Sequence, residues 1–216
     1  HRDTLGNDLV LRPGAVNWMT AGRGICHSER TPDEERANGQ SMHGIQTWVA
    51  LPKDYAEIAP DFVHHPADTL PEFDLGGAHA RVLAGTAFGH TAPVEYPWGI
   101  WYVGADAEDG ASFTVGADEA EERALYVADG QAAGQMAILQ PKADIPITVA
   151  PGTRFMLAGG QTMDGPRKID WNFVATDTDR LEQAKADWRA SAAGGWTNTP
   201  FTLPEGEDDY IPLPGD

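Results

Sequence analysis

Between Ala80 and Val174 the chain is a succession of short apolar runs, each closed by a turn. Arg81-Val-Leu-Ala is followed by Trp98-Gly-Ile-Trp-Tyr-Val, Ala111-Ser-Phe-Thr-Val, Ala124-Leu-Tyr-Val-Ala and Gln135-Met-Ala-Ile-Leu. Ile145 to Val149, Arg154 to Leu157 and Ile169 to Val174 continue the series. Asp109-Gly110, Asp129-Gly130 and Pro151-Gly152 supply the reversals. Strand-length runs separated by such turns restrict this region to an antiparallel barrel or sandwich. The 24 glycines and 16 prolines of the chain suit the many turns required.

The first half carries what resembles a copy of the same unit. Asp8-Leu-Val-Leu-Arg-Pro-Gly matches Gly134-Gln-Met-Ala-Ile-Leu-Gln-Pro, and Ile45-Gln-Thr-Trp-Val-Ala matches Ile169-Asp-Trp-Asn-Phe-Val-Ala. Two copies of one β unit predict an all-β fold of two tandem antiparallel barrels. In the first copy, Leu9 to Val16 reads as a β run broken at Pro13-Gly14, and Thr31 to Gln40 as an exposed loop. His43 to Leu51 reads as a further strand, closed by Pro52. The stretch from 52 to 80 reads as a long connector with one short strand at most. His64 and His65 lie there, but adjacent residues of an extended segment diverge, which disfavours a shared metal.

The chemistry concentrates between Asn17 and Glu29. Gly22 and Gly24 flank Arg23, allowing a turn that a Cβ would forbid. Beyond it Ile25, His27 and Glu29 alternate with Cys26 and Ser28, so in an extended strand His27 and Glu29 share one face. An imidazole beside a carboxylate is half of a metal site, or one acid/base pair. The second copy has Phe155-Met-Leu-Ala-Gly-Gly at the equivalent place and no histidine beyond His90, which predicts a metal-free barrel. Cys26, the only cysteine, points to the other face and reads as inert packing.

Asp179 to Ala190 is predicted as a short helix near the C-terminus, with Leu181, Ala184, Lys185 and Trp188 on one face. Thr176 to Asp179 offers its cap, and Gly194-Gly195 its stop. Glu205 to Asp209 reads as an acidic solvated loop leading to an apolar peg, Tyr-Ile-Pro-Leu-Pro. With 15 basic and 33 acidic residues the formal charge is −18. Such a surface repels phosphate backbones and anionic lipid, which argues against direct nucleic-acid or membrane binding. A lone cysteine excludes an intrachain disulfide and favours a reducing, cytoplasmic setting.

Several of these segments together resemble one family. Trp18-Met-Thr-Ala-Gly-Arg-Gly-Ile with His27-Ser-Glu29, and His43-Gly-Ile-Gln-Thr-Trp-Val-Ala-Leu-Pro52, are similar to the pirins, which are bicupins. Trp171-Asn-Phe-Val, the helix from Arg180 to Trp188 and the closing Asp209-Tyr-Ile-Pro-Leu-Pro extend the likeness over the full length. The resemblance implies two jelly-roll-like cupin barrels. Residues 1–60 would be the remaining part of an N-terminal cupin and 61–79 a connector. Residues 80–175 would form a metal-free C-terminal cupin, with 176–216 packing back on the barrels.

The resemblance also implies a mononuclear divalent metal, Fe(II) first, with Mn, Cu, Co, Ni or Zn as alternatives. Three His and one Glu bind it in that family, and two of those positions fall on His27 and Glu29. The other two lie in a His-Pro-His motif upstream of the segment that His1 begins. The first barrel is thus entered part-way, and an upstream segment is expected. Glu29 could serve as catalytic base. His43 is a candidate to orient a ligand, and Trp18, Met19 and Trp48 are candidates to line the cavity. The activity implied is O₂-dependent cleavage of flavonols such as quercetin, a small phenolic substrate. The alternative is a non-catalytic regulator that binds a protein partner, its metal structural or redox-active.

Overall fold

The computed structural model describes residues 1–39 and 42–215. Its strands in chain order are β1 (Arg2–Asp3), β2 (Val16–Thr20), β3 (His27–Ser28), β4 (Asp61–His65), β5 (Glu72–Leu75), β6 (Ala78–Ala87), β7 (His90–Thr91) and β8 (Ile100–Ala107). They continue with β9 (Ala111–Val115), β10 (Glu122–Asp129), β11 (Met136–Ile138), β12 (Ile145–Val149), β13 (Thr153–Gly160), β14 (Lys168–Asp170) and β15 (Phe173–Ala175). Helix α1 covers Asp33–Asn38 and α2 covers Thr178–Ala193. The fold is mostly β, and α2 is its one substantial helix. Among the described residues no helix is long and apolar enough to cross a membrane.

The chain divides into two compact units that do not follow sequence order. The first combines His1–Arg12, Met19–Val63 and Asp164–Asp216; the second combines Pro13–Trp18 and His64–Met163.

The second unit is built on one antiparallel sheet in the order β11-β10-β13-β8-β6-β5, with β7 paired to β6. Period-2 alternation decides which side chains face inward. On β6 the inward positions are Ala78, Ala80, Val82 and Ala84, all essentially buried. Small residues there leave room for Trp101 and Val103 of β8 and Phe155 and Leu157 of β13. Val82 pairs with Val103, and Leu157 pairs with Val103 from the other side. Each such fully buried side chain contributes about 1.5–3 kcal/mol. The separate pair β9–β12 closes over this face, where Phe113 stacks on Phe155 with ring centres 5.5 Å apart.

One charge is sealed into this unit. Arg123 is 2% exposed and donates to the carbonyl oxygens of Val115 (3.1 Å), Gln140 (2.7 Å) and Ala143 (2.9 Å), and also to Gly116. It ties together the chain segments that follow β9 and precede β12.

The first unit has no comparable sheet. Among the described residues, β1 pairs with β3 and bridges from Arg2 to Asp8, and β14 pairs only with β15. Helix α2 lies against the β14–β15 hairpin, with Leu181 and Ala184 buried. Asp177 caps it by accepting from the Arg180 amide at 2.8 Å, and Gly194 ends it. Trp188 is the hub of an aromatic cluster: Trp171, Trp196 and Phe201 meet it at 5.3, 4.8 and 5.5 Å between ring centres.

Several sequence expectations change here. His43 to Leu51 forms no strand, because no neighbouring strand completes a ladder with it, and Ile45, Trp48 and Val49 stay exposed. Arg167 instead anchors its end, donating to the Leu51 carbonyl at 2.6 and 3.1 Å. The β run expected over Leu9 to Val16 shifts to Val16–Thr20, after the Pro13-Gly14 turn. The 31–40 loop contains the short helix α1. The stretch read as a connector carries β4, β5 and the start of β6. The final run is a hairpin, not one strand, because Trp171 takes φ +52. That hairpin belongs to the first unit. In the tail only Leu213 is a buried peg, while Tyr210 and Ile211 are exposed.

Candidate functional site

The Gly22-Arg-Gly24 turn sets the direction of everything after it. Gly22 has φ +51, and a Cβ there would lie 2.1 Å from the Ile58 carbonyl oxygen. The Arg23 amide donates to that same oxygen at 3.0 Å. The turn is held from outside by the C-terminal segments of its own unit. Arg180 donates to the Arg23 carbonyl at 3.1 Å while pairing with Glu57 at 2.8 Å. The Phe201 ring sits 3.1 Å from where a Gly24 Cβ would be. Two residues on, Cys26 is 7% exposed, and burial pushes its thiol up to about 11. At neutral pH it stays an uncharged packing group.

The chain then enters β3, which pairs antiparallel with β1 so that Asp3 faces His27 and Arg2 faces Ser28. His27 keeps an exposed edge, and its Nδ1 lies 2.9 Å from Met19 Sδ. A thioether sulfur can only accept, so this contact puts the proton on Nδ1. In that tautomer the Nε2 lone pair is available, one of the two ways an imidazole can ligate a metal. Desolvation lowers the imidazole pKa, against the opposing pull of Glu29 and Asp3, and this favours the neutral ring. Glu29 has its side chain 52% exposed, with Oε1 3.9 Å from His1 Nδ1.

His1 is the participant that sequence reasoning missed. Its side chain is 2% exposed, stacked on Phe62 at 4.1 Å, with ring centre 5.6 Å from that of His27. Its Nε2 contacts Asp3 Oδ2 at 3.1 Å. Asp3 is itself buried, and both its oxygens are engaged. Oδ1 accepts from the Leu5 and Asn7 amides and the Asn7 side chain, while Oδ2 accepts from the Asn7 side chain again. The signal was available: His1 and Asp3 alternate as His27 and Glu29 do, and the β1–β3 register runs on to set His1 opposite Glu29.

The structure thus brings together His27, Glu29 and Met19 of the residues expected at the site. Trp18 belongs to the second unit, where it meets Tyr96 edge-on at 5.7 Å. His43 lies on the extended segment after α1, and Trp48 is 53% exposed there. Among the described residues no three of His, Cys, Asp and Glu converge on one point. The donor types, neutral imidazole and carboxylate, fit a first-row divalent metal. Their number fits part of a ligand set.

The comparisons with known proteins agree with this architecture. The profile of the Pirin family matches residues 1–49, and that of the pirin C-terminal cupin domain matches residues 102–194. A pirin-like protein of Caulobacter vibrioides is 43% identical over 225 residues, spanning 99% of this chain and 74% of its own length. A protein of Pseudomonas aeruginosa, provisionally named a quercetin 2,3-dioxygenase, is 35% identical over 89% of this chain, which spans 62% of that relative. The crystal structure of a quercetin 2,3-dioxygenase from Acinetobacter baumannii superposes with a TM-score of 0.80 at 29% identity, covering 97% of this chain and 73% of that one. The fold is the bicupin of the cupin superfamily, and the chain belongs to the pirin family.

Proposed function

We propose that His27 and Glu29 are two ligands of a mononuclear metal, Fe(II) first among the candidates. In this reading the chain is a flavonol-cleaving dioxygenase of the quercetin 2,3-dioxygenase kind. The observation that supports it is the contact between His27 Nδ1 and Met19 Sδ, which leaves Nε2 available two residues from the half-exposed Glu29 carboxylate. The two remaining ligands are the upstream histidines that the family resemblance implies.

A metal bound there supplies redox chemistry with O₂ and attraction for a phenolate. This chain's residues do the rest. Glu29, with half its surface open, takes the proton of a flavonol hydroxyl as general base. His1, stacked on Phe62 and held by Asp3, packs beside Glu29 and limits the directions that carboxylate can take.

Aerobic turnover of quercetin by the full-length protein loaded with Fe, Mn, Cu, Co or Ni tests the activity. Loss of the flavonol absorbance is the expected result, and no turnover with any of the five refutes it. The second reading, a regulator acting through a protein partner with a basic surface, is favoured by the charge of −18 and then takes its place.

A further inference from the structure

The pair β1–β3 is two residues long on each strand, and among the described residues its only further ladder support is a single bridge from Arg2 to Asp8, flanked by backbone bonds exchanged between His1 and Leu9. Isolated two-stranded ribbons of any length are marginal in water. Yet this pair carries His1, Asp3, His27 and, one residue on, Glu29, and metal ligands must be held to within about half an ångström. Something other than the ladder has to hold it.

We propose that Glu207, in the C-terminal segment, is the positioning residue of this strand pair. It rests on the reading of His27 and Glu29 as ligands. Alternation puts Ser28 and Arg30 on the face opposite His27 and Glu29. Glu207 grips that rear face at both positions: Oε1 accepts from Ser28 Oγ at 2.7 Å, and Oε2 accepts from Arg30 Nε at 2.7 Å. Oε1 also accepts from Arg2 Nη1 at 3.3 Å, and Arg2 is the ladder partner of Ser28 on β1. One carboxylate therefore fixes both strands from behind, on either side of Glu29. The Glu207 side chain is only 4% exposed, so its carboxylate receives charge-assisted bonds from the protein side while the Arg2 and Arg30 side chains, 40% and 44% exposed, still reach solvent. Asp209 adds a second carboxylate on Arg30. The ion cluster joins β1 to β3 through the side chains of their rear face, where a two-residue ladder and one bridge offer little.

The arrangement predicts that Glu207 controls how well the ligands are presented, without touching metal or substrate. The test is Co(II) binding to the full-length protein, with affinity from chelator competition and coordination from the visible absorption of the bound ion. Outer partners of metal ligands typically matter by about 10–100-fold in affinity. Glu207→Gln, isosteric but uncharged, is expected to weaken Co(II) binding about tenfold and to change the band shape. Wild-type affinity and spectrum in Glu207→Gln, with only a lower melting temperature, overturn the positioning role. If Glu207→Gln does not fold, Ser28→Ala removes one of the three contacts, and a severalfold weakening is expected of it. Wild-type affinity in Ser28→Ala likewise overturns the role. His27→Ala run in parallel separates the two claims, and loss of Co(II) binding is expected. Wild-type binding by His27→Ala overturns the ligand assignment and the positioning role with it.

Discussion

The two units hold their strands by different means. In the second, β6, β8 and β13 each have a strand on both sides, and Val82, Val103, Phe155 and Leu157 fill the space behind them. In the first, β1 and β3 among the described residues have each other and one bridge from Arg2 to Asp8, and they are fixed by side chains from the C-terminal segments: Arg180 on the turn, Phe201 on Gly24, Glu207 on Ser28 and Arg30. An apolar interior stabilises by area and leaves no polar group to spare. The ribbon is propped from its rear face, and on the opposite face His27 and Glu29 keep exposed edges beside the buried His1 and Asp3. The difference lets one chain combine a closely packed sheet with a short strand pair that carries ligand-type side chains.

The sharpest way to break this comparison is to damage one unit and read the other. Phe155→Ala, which empties the centre of the second unit, should cost about 3–5 kcal/mol in urea unfolding. Metal bound per folded molecule should stay unchanged. Loss of metal from the folded fraction would show that the packed unit shapes the site directly. Arg123→Leu removes the guanidinium that four carbonyl oxygens share and should cost about 3 kcal/mol by the same measurement, because a buried hydrogen-bonded network loses its charged donor. A neutral result would mean that water replaces the guanidinium.

In the first unit, Gly22→Ala forces a Cβ onto the Ile58 carbonyl at a positive φ and should cost about 2 kcal/mol. Unlike the other two variants it should also weaken metal binding, since β3 starts from that turn. Unchanged affinity would detach the turn from the site.

The smallest expected effect is on acid stability. Arg30, then Ser28, hold the Glu207 carboxyl at about 2, well below the usual carboxylate range. A depressed folded pKa gives stability that is fully present above the unfolded value of about 4.5 and is lost as pH falls toward 2. Melting temperature followed from pH 6 down to pH 3 should therefore fall less steeply in Glu207→Gln than in the wild type. Parallel curves would place the ionic grip elsewhere.

From β8 to β13 the second unit was legible from the sequence, because those strands carry their own apolar runs and turns, whereas β5 and the two-residue β7 were too short to show a pattern. The helix was legible too, through Asp177 and Gly194. The first unit resisted for a physical reason: its order comes from partners distant in sequence. His43 to Leu51 has strand-like composition and no ladder, since β-propensity needs a neighbour to act. Glu207 looked like one acid in a solvated run, and nothing nearby in the sequence marks it as the carboxylate that meets Arg2, Ser28 and Arg30. Alternation alone marked His27 and Glu29 as neighbours on one face of a strand, and their proposed role as ligands came from the family resemblance. His1 needed the register of a two-residue ladder.

The account stands on metal binding in the first unit and not the second. Elemental analysis of the full-length protein, purified with its metal, compares wild type with His27→Ala and with His90→Ala in the second unit. One equivalent in wild type and in His90→Ala, with little in His27→Ala, is the predicted result. Equal metal in all three would contradict it.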